Sequence, residues 1–236
     1  MEKTEMIIFK NLLKQYGDTR AVDVEELMIP AGQAMGLVGN NGAGKTTLFR
    51  MLLDLVRPTQ GDVSSKGENV RHSESWKHYT GSYLDEHFLI DFLTAEEYFS
   101  FIAKINGLTE GDLQQFYARF DEIFNEEILG KRKYIRDLSQ GNQKKVGIAA
   151  AIMPNPEVLV LDEPFANLDP STQIRLKKLL RQLQEENRMT MLISSHDLIH
   201  VTEVCERIVV LERGRIVKDI YTSESTLQDL EAYFGA

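Results

Sequence analysis

The sequence predicts an α/β protein with a mixed sheet, an antiparallel β subdomain at the N-terminus and an inserted α-helical subdomain. Three observations point there. The apolar runs in "AMGLVG", "EVLVLDE" and "MTMLISS" are short and continuous like buried parallel strands, and each is followed by a segment of helical spacing. The first 38 or so residues instead alternate in the manner of strands, with a turn at Pro30-Ala31-Gly32. From Thr94 to about Met153 the strand pattern stops, and about sixty residues of helical character interrupt the alternation.

The elements follow in order. After the N-terminal strands, "KTTLFRMLLDLV" has the apolar spacing of a helix, and "RPTQGDVSSKGENV" reads as a turn followed by a strand. In the insertion, "TAEEYFSFIAKING" is a helix capped by Thr94, with Glu97 three residues on completing a capping box. "TEGDLQQFYARFDEIFNEEI" forms a second helix, and "GNQKKVGIAAAIM" a third that Pro154 stops. Strand resumes at "EVLVLDE". Helix "PSTQIRLKKLLRQLQEEN", strand "MTMLISS" and short helix "DLIHVTEVC" come next, then a strand pair around Arg213-Gly214 and a terminal helix "ESTLQDLEAYF". Residues 1–86 and 155–236 are expected to form a core lobe, and residues 87–154 a helical lobe.

Composition narrows the function. With 236 residues and 42% hydrophobic content, the chain can bury a substantial core in one large domain. Cys205 is the only cysteine, which rules out an intrachain disulfide, suits a reducing compartment and reads as a buried hydrophobe. No stretch approaches the ~18 consecutive apolar residues of a membrane span, and "MEKTEMIIFK" resembles neither a signal peptide nor an anchor. Work at a membrane would need another chain to span it. The net charge of −9 argues against nucleic acid as a partner. The one basic cluster, "KRKYIR" from Lys131 to Arg136, reads as solvated surface.

"GNNGAGKTT" carries the first chemistry. Gly39, Gly44, Lys45 and Thr46 fit G-x-x-x-x-G-K-[ST], a loop whose amides cradle phosphates while the lysine reaches the terminal ones and the hydroxyl binds magnesium. The candidate cradle is Gly39, Asn40, Asn41, Gly42, Ala43, Gly44, Lys45, Thr46 and Thr47, between a strand and a helix whose N-terminus points at the anion. "VLVLDEP" then delivers Asp162 and Glu163 at the C-terminal end of a buried strand, the edge where open α/β sheets bind ligands. Asp162 would hold Mg2+ beside Thr46, and Glu163 would polarise the water that attacks the terminal phosphate.

Together "GNNGAGKTT", "LSQGN", "LVLDEP", "ANLDP" and "SSH", in this order and spacing, resemble the ATP-binding subunits of ABC transporters over the full length of the chain. Coiled-coil chromosome and repair ATPases share the serine-glycine signature but carry several hundred residues between the two nucleotide motifs, where this chain has 116. The resemblance implies ATP and Mg2+ as cofactors and a head-to-tail dimer, homo- or heteromeric. Ser139 and Gly141 would complete the site of the opposite subunit, and Asp169 would bridge the two sites, although before Pro170 it also reads as turn chemistry. His196 matches the switch histidine that senses the terminal phosphate, and Tyr16 the aromatic that stacks on adenine. His72, His78, His87 and His200 match nothing.

Two departures stand out. An ungapped alignment puts Asp85 where the family usually has a glutamine that meets magnesium, water and the membrane partner; a carboxylate there adds negative charge beside phosphates. The signature has Gln140 and Asn142 where glycine and glutamine are commonest. The leading reading is an ATPase subunit that sits peripherally on the inner face of the cell membrane and powers transport, in the export direction, by a separate multi-pass permease. The alternative is a soluble ABC ATPase in a cytosolic process such as iron–sulfur cluster assembly. "DEHFLIDFL", Asp85 to Leu93, reads equally as a partner socket or as core of the helical lobe.

Overall fold

The computed structural model describes residues 5–235. The chain opens with β1 (Glu5–Tyr16), β2 (Thr19–Pro30) and β3 (Ala34–Val38), then α1 (Lys45–Leu52), β4 (Gln60–Ser65), β5 (Glu68–Asn69) and β6 (Thr80–Tyr83). The helical insertion follows as α2 (Ala95–Ile105), α3 (Glu110–Phe124) and α4 (Gln140–Ile152). The remainder is β7 (Val158–Leu161), α5 (Pro170–Asn187), β8 (Thr190–Ser195), α6 (Leu198–Val204), β9 (Arg207–Glu212), β10 (Arg215–Tyr221) and α7 (Thr226–Phe234).

Two sheets result. The N-terminal strands form an antiparallel sheet of order β2-β1-β4-β5, and the central sheet has the order β10-β9-β3-β8-β7-β6. In the central sheet β9, β3, β8, β7 and β6 are parallel to their neighbours, while β10 runs antiparallel to β9. The mixed sheet, the antiparallel subdomain and the helical insertion are thus all present.

Side-chain alternation divides the interior. Val158 and Val160 of β7 face one apolar core with α1 and the antiparallel sheet, while Leu159 and Leu161 face the other with the helices of the insertion. Leu192 and Ile193 of β8 divide in the same way. Both faces of these strands are buried, so the sequence shows continuous apolar runs there. The insertion shares its core with the sheet and adds an aromatic cluster of its own. Phe99 is fully buried, with its ring centroid 4.9 Å from that of Phe116 and 5.6 Å from that of Phe124. At Gly81 of β6 the insertion lies close against the sheet, since a Cβ there would lie 2.0 Å from the carbonyl oxygen of Ala151 in α4.

The caps explain the helix boundaries. Thr94 and Glu97 form the expected capping box on α2, and Thr109 and Asp112 form a second on α3 that the sequence reading passed over. Cys205 is buried, and burial pushes its thiol far above the usual range. Of the "KRKYIR" cluster, the four cations and Tyr134 are exposed, while Ile135 is fully buried and pins the segment down. In "DEHFLIDFL" Leu89, Ile90 and Leu93 pack against the core, as one reading expects, while Phe88 and Phe92 are exposed.

Phe99→Ala removes a fully buried ring from the middle of that cluster. It is expected to cost about 3–5 kcal/mol, measured as a lowered midpoint in urea unfolding; a change below about 1 kcal/mol would show that the cluster does not hold the insertion together.

Candidate active site

Beyond Val38 the chain turns through residues 39–44 into α1. Gly44 is the N-cap residue at φ 110°, a conformation that L side chains rarely adopt, and a Cβ there would sit 2.3 Å from the Ala21 carbonyl oxygen. No side chain caps the helix, so its first-turn amides remain donors at the positive end of the dipole. Lys45 is nine-tenths buried beneath the loop. Its ammonium donates to the Gly39 carbonyl at 2.6 Å and lies 3.3 Å from Glu163 Oε1. That second contact is an ion pair rather than an aligned hydrogen bond.

The register of β7 on β8 pairs Leu161 with Ile193, which sets Asp162 beside Ser194. Ser194 Oγ donates to Asp162 Oδ1 and accepts from the amide of Glu163 at 2.9 Å. Thr46 Oγ1 donates to Asp162 Oδ2 at 2.5 Å. Burial pushes the Asp162 carboxyl above its ordinary pKa, and the hydrogen bonds from Ser194 and Thr46 pull the other way. A hydroxyl and a carboxylate in contact suit a hard divalent cation, which takes its other oxygens from water and phosphate.

Glu163 has φ 47°, a left-handed conformation uncommon outside glycine. Its Oε2 accepts from the His196 amide at 3.3 Å and lies 2.9 Å from His196 Nδ1. The carboxylate therefore sits between Lys45 on one side and His196 on the other. His196 is exposed just beyond the end of β8.

The other expected residues lie further out. Ser139 caps α4, accepting from the Asn142 amide at 3.3 Å, and Gly141 is in the first turn, where amides lack partners within the helix. Among the described residues no hydrogen bond of Ser139 or Gly141 reaches the phosphate loop. Asp169 caps α5, and bonds from Ser171 and then Thr172 hold its carboxyl well below the usual range, so the turn chemistry is present. Asp85 caps the turn at 86–88, accepts from the His87 amide and lies 3.6 Å from the Arg50 guanidinium. Among the described residues no group of three or more His, Cys, Asp or Glu side chains gathers as a metal cluster, so Asp85 does not join Asp162 and Glu163.

Tyr16 is exposed at the end of β1, where the Lys14 ammonium lies 4.7 Å from its ring centroid. A cavity of ≈ 490 Å³ beside the phosphate loop is lined by residues 40–43 and by Arg213, Tyr233 and Phe234 rather than by Tyr16. Three polar residues of the site escaped the sequence reading. Ser194 was visible only as a serine ending an apolar run, Arg50 as a helix cation four residues after Thr46, and Lys144 as half of an ordinary Lys-Lys pair.

The ABC transporter family model matches residues 23–166. YhaQ of Bacillus subtilis, described as an uncharacterized ABC transporter ATP-binding protein, is 34% identical over 98% of this chain and 74% of its own length. The bacitracin transport ATP-binding protein BcrA of Enterococcus faecalis is 36% identical over 91% of this chain and 69% of its own. The methionine import ATP-binding protein MetN of Carboxydothermus hydrogenoformans is 34% identical over 91% of this chain and 66% of its own. Among solved structures, an ATP-binding subunit of an ABC transporter superposes with TM-score 0.82 at 26% identity, covering 98% of this chain and 93% of that one. A dimeric bacterial ABC transporter cassette, MJ0796, superposes with TM-score 0.78 at 28% identity, covering 92% of this chain and 99% of that one. By sequence and by fold, the chain belongs to the ATP-binding subunits of ABC transporters, and it is an ATPase of that family.

Proposed function

We propose that this chain hydrolyses ATP as a head-to-tail dimer and thereby drives outward transport by a separate multi-pass membrane protein, on whose cytoplasmic side it sits. The observation that carries the catalytic part is the placement of the Glu163 carboxylate between Lys45 and His196, one residue after the Asp162–Thr46 pair. In this reading the phosphate-loop amides and Lys45 bind the terminal phosphates of ATP, and Lys45 then trades its contact with Glu163 for phosphate oxygen. Glu163 takes the proton of the attacking water as the bond from the terminal phosphorus to ADP breaks. His196 donates to the phosphate oxygens and registers the loss of that phosphate. Thr46 and Asp162 would hold Mg2+, which offsets the triphosphate charge. Asp85 contributes no ligand here; Arg50 neutralises it, so the aspartate at this place adds little net charge near the phosphates.

Among the described residues the donors at Ser139 and Gly141 have no acceptor, which supports their use across a dimer, with residues 87–154 as the lobe that carries them. The partner's seat is the groove of ≈ 530 Å³ between the sheet and the insertion, lined by Leu55, Trp76, Phe88, Tyr98, Ile102 and Ile105 among others. Phe88 and Ile105 expose apolar surface there, and no helix among the described residues is long and apolar enough to cross a membrane. Outward movement rests on the resemblance to separate-subunit exporters; the bacitracin-transport relative's name carries no direction, and the methionine-import relative marks the competing one.

Glu163→Gln keeps the shape of the side chain and removes its basicity. Turnover should fall about a hundredfold or more, while ATP binding and an ATP-dependent dimer in sedimentation persist; wild-type turnover would show that another group takes the proton. Chains carrying Ser139→Arg and Lys45→Ala, each nearly inactive alone, should regain part of their activity when mixed, because one site of the heterodimer keeps both native residues. Absence of rescue would refute the shared site.

Phe88→Glu should release the chain from membranes of its host into the soluble fraction, scored by flotation. Retention of the variant would show that the partner sits elsewhere than at Phe88; a wild-type chain that never floats would turn the reading toward a soluble assembly ATPase. Uptake of cargo into inside-out vesicles on addition of ATP is the expected sign of export, and efflux from them the sign of import.

A further inference from the structure

Lys144 lies on α4, five residues after Ser139, with its side chain inside the fold; only 5% of the residue is exposed. Its ammonium donates to the backbone carbonyl of Glu163 at 3.0 Å. Among the described residues it has no carboxylate within ion-pair distance; besides the Tyr83 ring, whose centroid is 6.0 Å away, the buried charge has one hydrogen-bond acceptor, a peptide oxygen. That is an expensive way to hold a loop unless the loop's geometry matters, because an unpaired buried cation loses its hydration. Burial lowers the pKa of Lys144, and the more distant carboxylates of Glu86, Glu163 and Asp162 act in the opposite direction.

The peptide that it holds is the strained one. Glu163 is left-handed at φ 47°, and such a conformation persists only where its surroundings over-determine it. Its amide donates to Ser194 Oγ at 2.9 Å, and its carbonyl accepts from the Ala166 amide at 3.3 Å as well as from Lys144. Ser194 belongs to the central sheet and Ala166 to the same loop. Of the three holds, Lys144 alone comes from the helical insertion, and it stands on the helix whose first turn carries Ser139 and Gly141.

We infer that Lys144 is a positioning residue, whose ammonium locks the Glu163 peptide in the conformation that aims the carboxylate between Lys45 and His196, and thereby makes the aim of that carboxylate depend on where α4 sits. The inference rests on the reading of Glu163 as the base. It gives the helical insertion a direct hold on the chemistry of its own subunit's phosphate loop, in addition to the donors that it offers to the opposite one.

The test uses the purified full chain with Lys144→Met, Lys144→Arg and Glu163→Gln side by side. Lys144→Met removes donor and charge at nearly constant volume. Its kcat should fall about tenfold, with KM for ATP within about twofold of wild type. Its Tm should be equal or higher, since replacing a buried cation by an apolar isostere does not destabilise packing. Lys144→Arg, which keeps both donor and charge, should recover most of the lost kcat. Wild-type kcat in Lys144→Met overturns the inference, as does a fall in kcat accompanied by a lowered Tm and no recovery with arginine. Should Lys144→Met not fold, Lys144→Gln decides in the same way: lowered kcat at unchanged KM supports the inference and wild-type kcat overturns it. Turnover that survives in Glu163→Gln would overturn the base and this inference together; turnover lost there but intact in Lys144→Met overturns this inference alone.

Discussion

The hydrogen-bonded register of β7 on β8 is the constraint on which the rest of the site depends. Because Leu161 pairs with Ile193, Asp162 emerges against Ser194, and the next residue emerges against the end of β8, where His196 follows. A slip of one residue would turn every side chain of β7 to the opposite face, exchanging its valines and leucines between the two cores and carrying Asp162 away from Ser194 and Thr46. The two apolar cores on opposite faces of the sheet forbid that slip, since both sets of side chains are already packed. Packing that looks purely structural therefore fixes the position of a carboxylate relative to a hydroxyl on another strand.

Charge is balanced locally around that edge. Lys45 faces Glu163, Arg50 faces Asp85, and Asp162 relies on two hydroxyl donors in place of a cation. The balance leaves Asp162 the least satisfied as an anion, because its burial favours the neutral form. A divalent cation beside it would reverse that preference and bring its own charge into the pocket. Asp85 and Asp162 follow neighbouring parallel strands, yet Asp85 faces a guanidinium while Asp162 faces only hydroxyl donors.

Much of this was legible in the sequence because it rests on short-range chemistry. The phosphate loop needs its glycines in sequence, the capping box of α2 needs Thr94 and Glu97 three apart, and buried parallel strands need unbroken apolar runs. What could not be read is long-range. Arg50 and Asp85 are 35 positions apart, Ser194 meets Asp162 across 32, and Lys144 meets Glu163 across 19, all through pairings that only the folded sheet creates. Asp85 reads on the page as an added negative charge beside phosphates, and only the fold shows the guanidinium that answers it. The apolar stretch from Phe88 to Leu93 was ambiguous for a physical reason: Leu89, Ile90 and Leu93 pack on the core while Phe88 and Phe92 face solvent, so no single environment describes it.

The close approach of α4 to β6 at Gly81 bears on how force travels through the molecule. A Cβ there is excluded by the Ala151 carbonyl, so backbone faces backbone, and the one side chain beside them is the stiff ring of Pro156. A load applied to the groove between sheet and insertion cannot be absorbed by rotamer changes at that point. Such a load passes between α4 and β6 through main-chain atoms, and a residue larger than glycine at 81 would force the two elements apart.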